Sequence, residues 1–259
     1  MDDALFTPDG DRFVPTGHTS GPWDARSQHG GAPAALLGRA IEALPSGAPM
    51  AVVRITVEIL HPVPLVPLRV IARIERDGRR VQLASASLYA VDEEMCRSSA
   101  WRMRVANLDQ QTSAVALPFP GPDEGAAFEP ESDEPGLHRT GMELRFVRGS
   151  FWERGPATAW LRLRFPVVAD EAPSPLMRVL AAADFGNGSS MELGFDRYLF
   201  INTDVTVYLH RLPEGEWICL DAATTLQRTG AGLAESALYD VHGSIGRSLQ
   251  ALLVDKRSA

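Results

Sequence analysis

Short segments from the first half of the chain recur in the second half at a nearly constant distance, and this repeat limits the possible folds more than any other feature. The offset is 149 residues for one match and 150 for the other two. Three matches in the same order at one spacing are typical of a duplicated domain. The paired segments are Ile59–Pro64 with Tyr208–Pro213, Ser87–Val91 with Ala237–Val241, and Cys96–Ser98 with Gly246–Ser248.

Each copy has the pattern of one helix followed by several strands. Gly30-Gly31 precedes an Ala- and Leu-rich run over 32–44 that ends in Pro-Ser-Gly, which predicts a buried helix. Asp77-Gly78 between two alternating segments predicts a tight hairpin. One helix wrapped by antiparallel strands, present twice, predicts the α+β class. Strands are expected at 51–60, 68–76, 79–91 and 95–105, then at 141–151, 158–165, 200–210, 217–227, 233–241 and 245–254, with a second helix at 175–183.

The segment 107–136 separates the two copies. It is rich in Pro, Gly, Asp and Glu and lacks a clear period, which is typical of a linker. We therefore predict an N-terminal unit over 1–106, a linker over 107–136 and a C-terminal unit over 137–259.

Composition and charge exclude several partners. The formal net charge is −8, which argues against nucleic acid as a partner. Cys96 and Cys219 share no short motif, as expected of a reduced protein. The acidic N-terminus lacks the features of a signal peptide, and no apolar run approaches the ~20 residues that span a bilayer. We expect a cytoplasmic protein without a membrane span.

Common catalytic motifs are missing from the sequence. A Gly-x-Ser-x-Gly nucleophile elbow does not occur. The six His residues are scattered without a His-Glu-x-x-His pair, so no metal is expected. Gly230-Ala231-Gly232 lacks the third glycine of a dinucleotide fingerprint. We expect an activity that needs no cofactor.

Several segments together resemble the acyl-CoA thioesterase II (TesB-like) family. In the first half these are Gln28–Gly31 before the Ala/Leu helix, Leu60–Pro64 and Arg76–Arg79; in the second half they are Thr203-Asp204, Tyr208–Arg211, Trp217 and Ser248–Gln250. The resemblance covers roughly 21–105 and 181–257. It implies a tandem (double) hotdog fold, in which each unit is a long helix wrapped by a curved antiparallel sheet. It also implies hydrolysis of acyl-CoA to fatty acid and CoA, and a homodimer or tetramer.

The resemblance further implies a catalytic set of Asp, Thr and Gln in the second unit. Matching the segments places these on Asp204, Thr225 and Gln250. In such a set the carboxylate accepts a proton from water, and the other two side chains fix the water's direction of attack. The repeat offset puts Ile55, Glu75 and Ala100 at the corresponding places in the first unit, which predicts one site per chain.

Gly30-Gly31 at a helix entry is suited to binding the thioester oxygen. Backbone N–H groups at a helix N-terminus stabilise an oxyanion, and glycine lets a substrate approach closely. His29 is a further candidate donor for the same oxygen.

Structural roles for these residues stay open. An Asp in a strand region is usually an edge or turn residue, and Thr favours strands by propensity alone. Gln250 lies within an otherwise apolar strand, where a buried amide needs a partner. His29 can equally be a helix-capping residue.

Two other functions also stay open. A hotdog enoyl-CoA hydratase or dehydratase pairs an Asp with a nearby His, and Asp24 with His29 loosely imitates that pair. A non-catalytic acyl-binding protein can retain the same fold, because fold does not fix function.

Overall fold

The computed structural model shows a mostly antiparallel β protein with few helices. It describes residues 3–109, 113 and 115–257; residues 110–112 and 114 of the predicted linker, and the outermost ends of the predicted units (1–2 and 258–259), lie outside the described residues. The strands of the first half are β1 (Phe6–Asp9), β2 (Arg12–Pro15), β3 (Met50–Ile59), β4 (Leu68–Arg76), β5 (Val81–Ala90) and β6 (Glu93–Arg104). Those that follow are β7 (Ala126–Ala127), β8 (Met142–Arg148), β9 (Ala157–Leu163), β10 (Tyr198–Asn202), β11 (Asp204–Leu209), β12 (Ile218–Leu226), β13 (Ala231–Asp240) and β14 (Gly243–Lys256).

The helices are short. They are α1 (Gly31–Glu42), α2 (Pro175–Ala183) and α3 (Gly186–Ser189), with 3₁₀ turns at Gly17–Thr19 and Pro122–Glu124 and a single π-helical turn at Leu137–Gly141. The helices expected at 32–44 and 175–183 thus lie where the sequence predicts them. The second is only 9 residues long and breaks before α3, so it differs from the long helix that the family resemblance implies.

The named strands join in one antiparallel sheet. Their order is β1-β2-β4-β5-β6-β3-β11-β14-β13-β12-β9-β8-β7, with β10 paired to β14. β4 and β5 pair across the Asp77-Gly78 turn, as the sequence predicts. The two halves of the chain meet where β3 pairs with β11.

The seam between β3 and β11 joins segments that the repeat makes equivalent, with the paired residues one position from exact equivalence. Thr56 faces Thr206, which lies 150 positions later, and their hydroxyls are 3.0 Å apart. The neighbouring side chains Ile55, Val57 and Val207 are at most 1% exposed. The seam therefore combines main-chain pairing with a buried apolar inner face.

The two main helices run antiparallel in close contact. A Cβ on Gly31 would lie 2.5 Å from the carbonyl oxygen of Ala181, and one on Gly38 would lie 2.4 Å from Leu180 Cδ1. Both glycines are buried on α1, so the absence of side chains allows the helix backbones to approach. This contact brings the start of α1 to the end of α2.

An ion pair between a half-buried arginine and a buried carboxylate fixes the loop after β11. Asp240 is fully buried and accepts bonds of 2.5 and 2.6 Å from the Arg211 guanidinium, and bonds of 2.8 Å from the N–H groups of Glu214 and His242. Burial acts to raise the pKa of Asp240, but these hydrogen bonds outweigh it and lower the pKa.

None of the helices within the described parts of the chain has the length and apolarity needed to cross a membrane.

We expect Gly31→Ala to destabilise the protein. The added methyl would meet a backbone oxygen that cannot move away easily, and overpacking of this kind costs about 1–3 kcal/mol. Urea unfolding should show a lower free energy of unfolding. The matched variant is Gly47→Ala, where the new Cβ would have no neighbour within 4 Å. Equal stability of the two variants would contradict the close helix contact.

Asp240→Asn should cost about 2–4 kcal/mol, because it leaves the Arg211 charge without its partner. The lowered pKa means that the carboxylate stabilises the fold above its unfolded-state pKa and that this contribution is lost as pH falls through the native pKa. The stability gap between wild type and variant should therefore be constant above about pH 5 and shrink below about pH 4. Arg73→Ala, which breaks an exposed pair with Glu75, is the control and should change stability little.

Candidate active site

A cavity of about 450 Å³ lies where the start of α1, the end of α2 and β10 meet. Its wall is largely apolar and includes the side chains of Trp23, Ile59, Phe151, Phe195 and Leu199. Several of the rings touch: Trp23 lies 5.0 Å from Phe195 between centroids, and Phe195 lies 6.1 Å from Phe151 with nearly parallel planes. Such a wall suits an apolar ligand.

Asp184 is the charged group at the centre of the polar side of this cavity. It directly follows α2 and is 5% exposed. Its Oδ1 accepts a 2.8 Å bond from Asn202 Nδ2 and a weaker 3.4 Å bond from Gln250 Nε2, and its Oδ2 lies 2.8 Å from His29 Nδ1. A buried carboxylate needs donors of this kind. Asp184 therefore organises residues from both halves of the chain.

Gln250 is held firmly on the inner face of β14. It is 1% exposed, and its Oε1 accepts a 3.0 Å bond from the Asn187 N–H in α3. Its Nε2 also donates to the Asp184 carbonyl oxygen at 3.3 Å. A Cβ on Gly186 would lie 2.7 Å from Oε1, so glycine at the start of α3 is what lets the amide approach.

A β-bulge at Thr203 turns Asn202 inward. β10 pairs Asn202 with Leu252, whereas β11 pairs Thr206 with Leu249, so the three residues between these pairs on one strand oppose two on the other. An extra residue reverses the face to which the following side chains point. Asn202 therefore faces Asp184, while Asp204, two positions later, lies on the opposite face of the sheet with Thr206.

His29 reaches Asp184 from the N-terminal side of α1. Its ring stacks on Phe185 with centroids 4.4 Å apart. The Gly31 N–H also points at Nδ1, at 3.2 Å, and one nitrogen cannot both accept that bond and donate to Asp184. The shorter contact to a charged carboxylate is the stronger one, so Nδ1 carries the proton and donates to Asp184.

Gly30 is confined by the same carboxylate. A Cβ at this position would lie 2.9 Å from Asp184 Oδ2. The Gly30 N–H makes no hydrogen bond to any residue that the structure describes. It is a free backbone donor at the entry of α1, on the border of the cavity.

The structure brings some of the predicted site residues together and separates others. Gln250, His29 and Gly30 meet around Asp184, and Gly31 begins the adjoining helix. Asp204 and Thr225 do not join them within the described structure. Asp204 Oδ1 accepts a 2.9 Å bond from the Ala251 N–H and Oδ2 a 3.4 Å bond from Thr206.

Thr225 is exposed on the outer face of β12. Its neighbour Thr224 points inward instead and lies 2.8 Å from Ser190 Oγ, because successive residues of a strand face opposite sides. Gln250 is thus the only one of the three predicted catalytic side chains that borders the cluster in the described structure.

Asp24 does not pair with His29 in the described structure. Its carboxylate is bound by the Arg26 guanidinium, at distances down to 2.8 Å, and by the Arg26 N–H. These bonds lower the pKa of Asp24 to about 2. The partner of His29 is Asp184, from the other half of the chain.

Sequence reasoning missed Asp184, Asn202 and His138. Asp184 interrupts an apolar run between Ala183 and Phe185, and a lone carboxylate there is the signal that points to a buried role. Asn202 carries no such signal, because its direction depends on the bulge. His138 also lines the cavity, from the π-helical turn.

Family models match both halves of the chain. A model described as the acyl-CoA thioesterase N-terminal domain matches residues 19–103, and one described as the acyl-CoA thioesterase C-terminal domain matches residues 111–254. A search of curated proteins finds no match.

Solved structures share the fold along nearly the whole chain. A protein from Novosphingobium aromaticivorans described as a candidate thioesterase is 20% identical, with a TM-score of 0.73, over 96% of this chain and 98% of that one. A hot dog fold protein from Alicyclobacillus acidocaldarius is 18% identical, with a TM-score of 0.75, over 100% and 98%. A candidate thioesterase II from Thermobifida fusca is 15% identical, with a TM-score of 0.77, over 98% and 96%. At these identities the likeness shows the fold alone.

Gln250→Ala should lower the free energy of unfolding by about 1–3 kcal/mol, because it leaves the buried Asn187 N–H without an acceptor. Thr225→Ala is the matched control on an exposed position and should stay within about 0.5 kcal/mol of wild type. Chemical denaturation of both variants measures the difference. A larger loss for Thr225→Ala would contradict the burial pattern of β12 and β14.

Proposed function

Because the chain belongs to the acyl-CoA thioesterase family, we propose that it hydrolyses acyl-CoA to a free fatty acid and CoA at the cluster around Asp184. The observation that carries this proposal is a buried carboxylate with three side-chain donors, from both halves of the chain, beside an apolar cavity. The carboxylate can accept a proton from water and so activate the water as the nucleophile. The apolar wall can accommodate an acyl chain.

The fold of this proposal is a tandem hotdog with an N-terminal unit over 1–106, a linker over 107–136 and a C-terminal unit over 137–259. The pairing of β3 with β11 supports it, since equivalent segments of the two copies meet at the seam. The helices of the two copies differ in this fold. The helix of the second copy ends before Asp184, whereas the helix of the first copy is continuous over Gly31–Glu42. A homodimer or tetramer and a cytoplasmic location stay predictions.

In the proposed reaction Asp184 takes a proton from water as the water oxygen bonds to the thioester carbonyl carbon. Asn202 and Gln250 hold the carboxylate and limit the directions from which water can approach. His29 fixes the other carboxylate oxygen through Nδ1. We assign to Asp184 and Asn202 the roles that the family resemblance implies for Asp204 and Thr225, because the side chains of Asp184 and Asn202 face the cavity.

The carbonyl oxygen gains negative charge as the new C–O bond forms. The free Gly30 N–H at the entry of α1 is suited to donate to it. The tetrahedral intermediate then collapses, the C–S bond breaks, and the thiolate of CoA leaves with the electron pair. The proton held by Asp184 passes to that sulfur, which restores the carboxylate.

Hydration of enoyl-CoA is a second candidate function, because the structure pairs Asp184 with His29. An Asp–His pair can deliver water to a double bond as well as to a carbonyl. The two reactions differ in product, because hydration leaves the thioester intact.

We expect Asp184→Asn to lower kcat/KM for acyl-CoA hydrolysis by about 10²–10⁴-fold, the usual contribution of a general base. Asn202→Ala and Gln250→Ala should each lower it by about tenfold or more, because the carboxylate loses a positioning donor. The measurement is thiol release from a panel of acyl-CoAs from acetyl to palmitoyl. Asp204→Asn and Thr225→Ala are the matched controls and should stay within about twofold.

The opposite pattern, in which Asp204→Asn is inactive and Asp184→Asn active, would overturn the assignment. Saturable binding without thiol release from any chain length would favour an acyl-binding protein. Loss of enoyl absorbance without thiol release would favour the hydratase.

A further inference from the structure

The π-helical turn Leu137–Gly141 carries a histidine into the wall of the cavity. The turn is held by three N–H groups that point at the Gly136 carbonyl oxygen, at 2.8–3.1 Å, and by the Leu137 N–H bond of 2.9 Å to Ser20. The Leu137 side chain lies 3.2 Å from the Cβ position of Gly31. This anchoring places the next residue, His138, beside the entry of α1.

The two ring nitrogens of His138 lie in different surroundings. Nδ1 is sealed from solvent and has no hydrogen-bond partner within residues 3–109 and 115–257. It lies close to Gly136, 3.5 Å from where a Cβ would stand. Because the ring lines the cavity and Nδ1 is sealed, a ligand that contacts a ring nitrogen must contact Nε2.

The buried nitrogen also determines where the proton resides. A buried N–H without an acceptor is rarer in proteins than a buried acceptor without a donor. The stable arrangement therefore leaves Nδ1 as a lone pair and puts the proton on Nε2, facing the cavity. Burial lowers the pKa of His138 to about 3, with smaller contributions from His29 and Arg139, so the ring stays neutral near pH 7.

We propose that His138 donates a hydrogen bond from Nε2 to the carbonyl oxygen of the bound thioester, together with the Gly30 N–H. This inference rests on the proposed function. The donor stays on the ring throughout the reaction, since a neutral imidazole of this kind polarises a carbonyl without transferring its proton. His138 is thus an electrophilic residue, distinct from Asp184, which takes the proton of the water, and from His29, which holds Asp184.

The test uses a ketone analogue of hexanoyl-CoA, with CH₂ in place of sulfur and ¹³C at the carbonyl carbon. Bound to the wild-type protein, the carbonyl resonance should move downfield from its position in free solution. His138→Leu should remove most of that shift and His138→Gln should keep part of it, because the amide retains a donor. His210→Leu, at an exposed histidine outside the cavity, is the matched control and should leave the shift unchanged.

Turnover by the same proteins gives an independent readout. His138→Leu should lower kcat by about 10²–10³-fold with KM changed much less, because the bond strengthens in the transition state. The pH profile of kcat should keep its shape, since His138 does not titrate in the assay range. A merely structural role would not move the ketone resonance.

The outcomes separate the two proposals. Three results would each overturn the role of His138. The first is a ketone shift in His138→Leu equal to that of wild type, and the second is the absence of a downfield shift in wild type itself. The third is the loss of one limb of the pH profile in His138→Leu. Hydrolysis by wild type in those cases would leave the proposed function standing. A His138-dependent shift in a wild-type protein that releases no thiol would support the contact and overturn the hydrolysis.

Discussion

The close antiparallel contact of α1 with α2 is the constraint on which the site depends. Gly31 lies against the Ala181 carbonyl oxygen, so the start of one helix and the end of the other share one small volume. His29 and Gly30 precede α1, and Asp184 follows α2. Their meeting is therefore a consequence of helix packing, and neither half of the chain contains the cluster alone.

The sheet supplies the remaining two donors to Asp184, because the position of a residue along its strand determines the face to which its side chain points. Gln250 points inward because it is one of the alternate positions of β14 that face the core. Asn202 points inward because the bulge at Thr203 adds one residue. The helix break before α3 lets the Asn187 N–H hold the Gln250 oxygen. A packed helix pair, a bulge and a helix break thus together place the three donors around one carboxylate.

The sequence predicted local features well and long-range directions poorly. The helix at 175–183, the Asp77-Gly78 hairpin and the burial of Gln250 follow from nearby residues. The family resemblance points to Asp204 and Thr225, and in the structure the residue next to each of them faces inward: Val205 and Thr224. The surroundings of Asp184 do not follow from the local sequence, because its three donors come from three separate segments. Those of His138 do not follow either, because Ser20 of the first half holds its turn. A single sequence carries periodicity within a strand, but not the extra residue that reverses it.

The seam between β3 and β11 has a consequence for how the chain is made. Thr56 must find Thr206, a partner synthesised 150 residues later, so β3 remains an unpaired edge while most of the chain is still to emerge. Contacts of such long sequence separation form slowly, and an exposed edge invites pairing with other chains. The same seam that unites the finished protein is thus an exposed strand edge during biosynthesis.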